Sequence, residues 1–451
     1  MGGFLWGAAT ASYQIEGAAA EDGREPSIWD VFCQVPGAIA NGDDGNLAVD
    51  HYHRWPEDVA LMSALGLDAY RFSVSWSRVL TADGTPNPAG IAFYDRLVDG
   101  LLAHGLEPWL TLYHWDLPAH LLGGWTARAT AERFAEYALV VHDRLGDRVR
   151  RWTTLNEPWC SAMLGYGAGV HAPGHTDPTE ALTAAHHLLL GHGLAARALR
   201  EADASASIGI TLNYTPLYPA NPDDPADVDL VRRADGTAHR LFTDPVFGRG
   251  YPADVIEDAG PHWPAGAVRD PDPATIAVPL DFLGVNYYST QMVRAGTTPG
   301  PSPHVTAPGL VEVSRGFERT DMGWEVHPAG FLELLRRIGR TWAGPAGVPL
   351  YITENGAAYP DAPTADGHVE DADRIAYLDA HLTAVAAARA SGVDIRGYFV
   401  WSLLDNFEWA LGYDKRFGIV AVDEELRRIP KASARWYASQ IASGRMRGEG
   451  T

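Results

Sequence analysis

Two glutamates stand in short segments suited to proton and nucleophile chemistry: Glu157 in Thr154-Leu155-Asn156-Glu157-Pro158 and Glu354 in Ile352-Thr353-Glu354-Asn355-Gly356. Each follows a run rich in β-branched and apolar residues, and Pro158 or Gly356 ends that run. Cleaving a glycosidic bond needs two carboxyl groups, one protonated to release the leaving oxygen and one ionised to attack the sugar or activate water. A lone glutamate in a loop is usually a solvated surface residue. Two of them at the ends of strand-like runs, about 200 residues apart in sequence, argue for a shared site instead. The 15 tryptophans and 18 tyrosines fit this chemistry, since flat rings stack on the apolar C–H face of a sugar. Many of those rings must simply fill the core.

Something has to bring the two glutamates together. Candidate strands are Phe4–Ala8, Ala69–Ser73, Glu107–Tyr113, Arg151–Asn156, Ile208–Tyr214, Phe282–Asn286, Leu350–Thr353 and Gly397–Trp401. Between them lie helical patterns over Pro56–Ala64, Ile91–His104, Ala129–Leu145, Pro178–Ala202, Ala226–Leu241, Pro328–Thr341 and Asp371–Ala390, and Ala432–Ala442 closes the chain. Eight alternating strand–helix units predict one (β/α)8 barrel domain over residues 1–451, rather than a doubly wound open sheet. A barrel places its chemistry at the carboxyl ends of its strands. There the sequence puts Gln14, Arg71, His114-Trp115-Asp116, Asn156-Glu157, Asn286-Tyr287-Tyr288, Glu354 and Trp401, with Asp405 to Trp409 close behind. The stretches Glu16–Arg54 and Gly296–Trp324 are too long for ordinary connections and are expected to be functional loops.

The segments around Glu157 and Glu354 resemble the two signatures of glycoside hydrolase family 1, the β-glucosidase family. Phe4 to Gly17, Asp50-His51-Tyr52-His53-Arg54, Tyr70 to Ser73, His114 to Asp116 and Trp401 to Trp409 resemble further family segments in the same order. The resemblance implies a retaining mechanism with Glu354 as nucleophile and Glu157 as acid/base. In such enzymes the carboxyls sit about 5–5.5 Å apart, so an ionised Glu354 would keep Glu157 protonated. It further implies that Arg71 and Tyr288 support the nucleophile and that Asn156 holds the sugar 2-hydroxyl. Gln14, His114, Trp115, Trp401, Glu408, Trp409 and Phe417 would bind the glycone, and Trp324 would form an aglycone platform. Tyr287, next to Tyr288 on a strand, would point away and pack. Glu408 would repel a sugar phosphate, which favours unphosphorylated β-glucosides, including aryl glucosides, cellobiose and short oligosaccharides. A galacto or fuco preference and transglycosylation on the same site remain alternatives.

Composition narrows the field further. A net charge of −22 excludes a phosphate-tracking nucleic-acid binder. The two cysteines, Cys33 and Cys160, cannot make a disulfide framework and read as free thiols in a reducing compartment. The apolar start of the chain has no basic residue before Arg24, so it lacks the charged region of a signal peptide. Histidines 186, 187 and 192 and Arg197 interrupt Thr183–Leu199, the best membrane candidate. The expectation is a soluble cytoplasmic enzyme acting on small glycosides, without cofactor or metal and of undetermined oligomeric state. The rival reading, a metal-dependent barrel hydrolase, would use His51 and His53. The pattern has them precede a helix rather than end a strand, and the only lysines, Lys415 and Lys431, lie too far along the chain to bridge metals there. A non-catalytic sugar-binding barrel is disfavoured because both glutamates are present.

Overall fold

Long runs of β-branched and aromatic residues, apolar on both faces, suit strands covered on both sides, as in a parallel barrel. The computed structural model describes residues 3–364 and 367–444. Its barrel strands are β1 (Leu5–Ala9), β2 (Ala69–Ser73), β3 (Glu107–Tyr113), β4 (Arg151–Asn156), β5 (Ser207–Asn213), β6 (Phe282–Asn286), β7 (Leu350–Asn355) and β8 (Ile395–Trp401). They close in sequential order, each parallel to its neighbours, with β8 returning to β1. Four of the eight strands have the predicted bounds, β1 and β5 are shifted by one residue at both ends, and β7 and β8 are two residues longer at one end. Gly7 on β1 lets the wall close, because a Cβ there would meet the Phe399 ring at 2.3 Å. Inside, Trp109 packs edge-on against Phe282, Tyr351 and Phe399 and plugs the barrel with aromatic carbon.

The helix Pro178–Ala202 occupies its predicted range. The Asp177 side chain caps it through the backbone N–H groups of Thr179 and Glu180, with proline in the first turn. Asn87 caps Pro88–Ala103 in the same way. The first long helix differs from expectation: it begins at His51, after Asp50 in a left-handed conformation, and carries Pro56 inside. His51 and His53 are therefore part of the helix rather than ahead of it. His51 Nδ1 meets Asp58 Oδ2 at 2.7 Å, and His53 pairs with Asp50 and Glu21. The Ala226–Leu241 pattern resolves into the helix Pro225–Asp235, a wide π-type turn over Gly236–Arg240 and a second helix, Leu241–Val246.

Two small sheets sit outside the barrel. Leu217–Pro219, Gln291–Ala295 and Leu310–Val313 form one, and the last of these falls inside the stretch expected to be loop. Val420–Val422 and Arg428–Pro430 form the other. Behind the loops that follow β7 and β8 lies a buried ionic cluster. Lys431 Nζ meets Asp361 Oδ2 at 2.5 Å and Asp405 Oδ1 at 2.8 Å. Arg374 pairs with Asp361 and Asp371, and Asp371 also accepts from Ser433 N and Oγ. This cluster fixes the segments that carry Glu408, Trp409 and Phe417. Among the described residues, no helix is long and apolar enough to cross a membrane, and no group of three His, Cys, Asp or Glu side chains is placed to hold a metal ion.

Candidate active site

β4 slips register against β5 between Thr153 and Asn156, and β7 slips against β6 between Ile352 and Glu354. Such irregularities re-aim side chains next to active sites, and here one precedes each glutamate. Glu157 takes the left-handed region at φ 47°, with its N–H donating to Thr211 O at 3.0 Å. Trp115 and Trp409 also have positive φ, at 80° and 51°. Conformations this costly for non-glycine residues persist where the surrounding structure enforces them, often at functional sites. Gly356 is required by space: a Cβ there would lie 1.8 Å from Trp401 O, so the turn after Glu354 can lie directly against β8.

These elements open one cavity of about 330 Å³ at the carboxyl end of the barrel. Glu157, Glu354, Tyr288, His114, Trp115, Trp324, Trp401, Glu408, Trp409 and Phe417 all line it. Gln14, Arg71 and Asn156 are fully buried behind its wall. Of the predicted site residues, none is stranded elsewhere. Tyr287 points away as expected, stacked on Phe331 with its hydroxyl donating to His327 O.

The two glutamates have different partners. Arg71 Nη1 donates to Glu354 Oε1 at 2.7 Å, and Tyr288 Oη donates to Oε2 at 2.6 Å. Arg71 Nη2 reaches Asn156 Oδ1 at 2.5 Å. Glu157 has no cation in contact; Asn286 Nδ2 donates to its Oε1 at 2.6 Å and Cys160 Sγ to its Oε2 at 3.0 Å. Burial, then the nearby Glu354 charge, pushes the Glu157 carboxyl up to about 8. Burial pushes Glu354 up as well, against the lowering effect of Arg71 and the Tyr288 hydroxyl. A permanent cation and a phenol favour the ionised form more than an amide and a thiol do, so the shared proton resides on Glu157.

The pocket residues around the pair are partly committed already. Asn156 Oδ1 is saturated by Arg71 and by Asn286 Nδ2 at 3.1 Å, so this side chain has only an N–H left for a sugar. Its Nδ2 lies 3.0 Å from His114 Nε2, which must therefore accept, placing the imidazole proton on Nδ1. That Nδ1 is buried without a protein partner. Burial, with Arg71 nearby, keeps His114 neutral by holding it well below its ordinary value. Gln14 donates to Asn406 Oδ1, Phe407 O and Glu408 Oε2, and its buried Oε1 is unpartnered. It offers an acceptor, its N–H groups being already engaged. The Trp115 indole N–H is spent on Asn156 O at 2.9 Å, so this ring serves as a surface. His114 stacks on Trp401 and on Trp409 at 5.8 and 6.0 Å, while Trp324 and Phe417 both pack against Tyr288.

Burial and the two neighbouring glutamates also push Glu408 up to about 8. This upward push weakens the charge on which the expected exclusion of sugar phosphates by Glu408 rests. The lining residues instead disfavour a phosphate by including no lysine or arginine. Asn286 and Cys160 were not singled out as site residues. Asn286 ends a predicted strand and Cys160 lies three residues after Glu157, which are the signals that could have marked them.

A closed (β/α)8 barrel with an aromatic cavity and a carboxyl pair at the carboxyl ends of its strands is the architecture of a glycosidase. Comparison with known proteins makes the class specific. The family model described as Glycosyl hydrolase family 1 matches residues 1–446, and the chain belongs to that family. It is 50% identical over 449 residues to the thermostable beta-glucosidase B of Thermobispora bispora, covering 99% of this chain and 91% of that one. It is 46% identical to the bifunctional beta-D-glucosidase/beta-D-fucosidase of Bifidobacterium breve, covering 98% and 97%. Among solved structures, the psychrophilic beta-glucosidase BglU of Micrococcus antarcticus superposes with a TM-score of 0.95 at 51% identity, covering 98% and 97%.

Proposed function

We propose that this chain is a retaining, exo-acting β-glucosidase that hydrolyses unphosphorylated β-D-glucosides by double displacement. The observation that carries the reading is the asymmetric pair: Glu354 held by Arg71 and Tyr288, and Glu157 by Asn286 and Cys160. Glu354 is the nucleophile and attacks the anomeric carbon while Glu157 protonates the leaving oxygen. Glycosylation removes the charge on Glu354 and with it the repulsion that holds the proton on Glu157. Glu157 then deprotonates the incoming water. The remaining Asn156 N–H and the free His114 Nδ1–H face sugar hydroxyls, and Gln14 Oε1 accepts from one. Trp401 and Trp409 supply the apolar floor and Trp324 the aglycone platform. Aryl glucosides, cellobiose and short oligosaccharides are the substrates, so the enzyme acts late in cellulose breakdown. The two free thiols suit the cytoplasm. The Bifidobacterium relative, named for both activities, supports β-fucosidase activity as a second reading on the same site. Water and a sugar hydroxyl compete for the same intermediate, so transglycosylation grows with acceptor concentration.

Azide separates the two glutamates by stereochemistry. Glu354→Ala should lose hydrolysis, and azide entering the vacated nucleophile space should give the α-glucosyl azide from an activated aryl β-glucoside. Glu157→Ala should still form the glycosyl-enzyme from a good leaving group, and azide should then give the β-glucosyl azide. Anomeric proton couplings by NMR distinguish the products. The same anomer from both folded variants, or rescue of neither, overturns the roles.

A further inference from the structure

Glu157 has two carboxyl oxygens and two protein donors, and the donors differ in kind. Asn286, on Oε1, is locked: its own oxygen accepts from Thr353 Oγ1 at 2.7 Å, and its nitrogen also meets Asn156 Oδ1. An amide nitrogen only donates, so Oε1 faces a hydrogen that cannot turn away. Cys160, on Oε2, is a weak donor and weak acceptor on one rotatable bond. It is buried, lines the cavity, and is held beside the glutamate by its own N–H, which donates to Glu157 O at 2.9 Å. Oε2 can therefore carry a proton when the thiol turns aside, and can receive the thiol hydrogen when the carboxyl ionises.

We propose that Cys160 is the positioning residue that assigns the catalytic proton to Oε2 of Glu157 and steadies the carboxylate once that proton has gone. The proposal rests on Glu157 being the acid/base. The other charged or titratable groups bearing on Glu157 are Glu354, Arg71, Tyr288 and Glu408. None of them is altered by a substitution at position 160, so a change in the pH profile reports the thiol contact itself.

The test is the pH dependence of kcat/KM for an aryl β-glucoside in wild type, Cys160→Ala and Cys160→Ser. Alanine removes a donor to the ionised form, so the basic limb should move up by about half a pH unit. Serine is a stronger donor in the same place, so the limb should move down by about as much. Loss of packing alone does not shift the two variants in opposite directions. Limbs that stay put, or that move the same way in both variants, overturn the proposal. In a Cys33→Ser background the infrared S–H stretch of Cys160 should shift as pH passes through the basic limb. A band that does not move overturns the proposal even if the substitutions at 160 prevent folding. If Glu157→Ala gives the β-glucosyl azide while the limbs and the band stay fixed, the positioning role falls and the acid/base role stands. If no β-azide forms, the underlying reading falls first.

Discussion

Two of the buried groups of carboxyls in this molecule are partnered in opposite ways. Behind the β7 and β8 loops, Asp361, Asp371 and Asp405 share Lys431 and Arg374, and Asp405 also accepts from Gly418 N at 2.8 Å. In the cavity, Glu157, Glu354 and Glu408 have one contacting cation between them, Arg71, and it touches only Glu354. Burial is similar; pairing is not. Where cations match carboxylates, the charges act as a clasp between loops. Where they do not, burial and mutual repulsion push the carboxyls up, and the one that lacks a cation and a phenol, Glu157, is the one placed to carry a proton for acid–base catalysis.

Breaking the clasp should have the largest effect. Lys431→Met leaves Asp405 without its paired cation and Asp361 with Arg374 alone, and should cost about 3–5 kcal/mol in chemical denaturation. A loss below about 1 kcal/mol would show that the cluster does not behave as a buried pair. Arg71→Met removes the cation from the other group. Glu354 must be ionised to attack, so the acidic limb of kcat/KM should rise by about 1–3 pH units. An unmoved acidic limb would mean that Arg71 does not hold the nucleophile's charge. The smallest effect concerns Glu408. A carboxyl raised to about 8 keeps its proton in the folded protein while the unfolded chain releases it above about 4.5. Stability is therefore lost progressively as pH rises from about 4.5 to 8. Glu408→Gln removes that loss, so the ligand-free variant should match wild type near pH 4 and exceed it by about 1–2 kcal/mol near pH 8. The figure lies below the full linkage value because Glu408 keeps some exposure to the cavity and shares its repulsion with two neighbours. A gain that does not depend on pH would refute the mechanism.

Much of the fold was legible because parallel barrel strands are apolar on both faces and read as unbroken runs. Glu107–Tyr113 and Phe282–Asn286 needed no further context. The outer strand Leu310–Val313 was missed because four residues in a long Pro- and Gly-rich stretch become a strand only by pairing with Gln291–Ala295. The two glutamates proposed as catalytic stood out through local sequence, and the barrel topology made their juxtaposition expected. Asn286 and Cys160 did not stand out, because their importance lies in contacts made after the chain closes. The upward push on Glu408 was not legible for the same reason: it depends on two glutamates that are distant in sequence. Lys431 was noticed for its rarity in the chain, while its partners Asp361 and Asp405 lie 70 and 26 residues away.

The aromatic plug around Trp109 has a consequence for traffic. With the barrel interior filled by Trp109, Phe282, Tyr351 and Phe399, everything that enters the cavity must leave by the same mouth. In the proposed mechanism the sugar is bonded to Glu354, and the group cleaved from it lies toward that mouth. The first product must depart before the second reactant can approach, which imposes a ping-pong order. Whatever waits most densely at the mouth, water or another sugar, takes the vacated place.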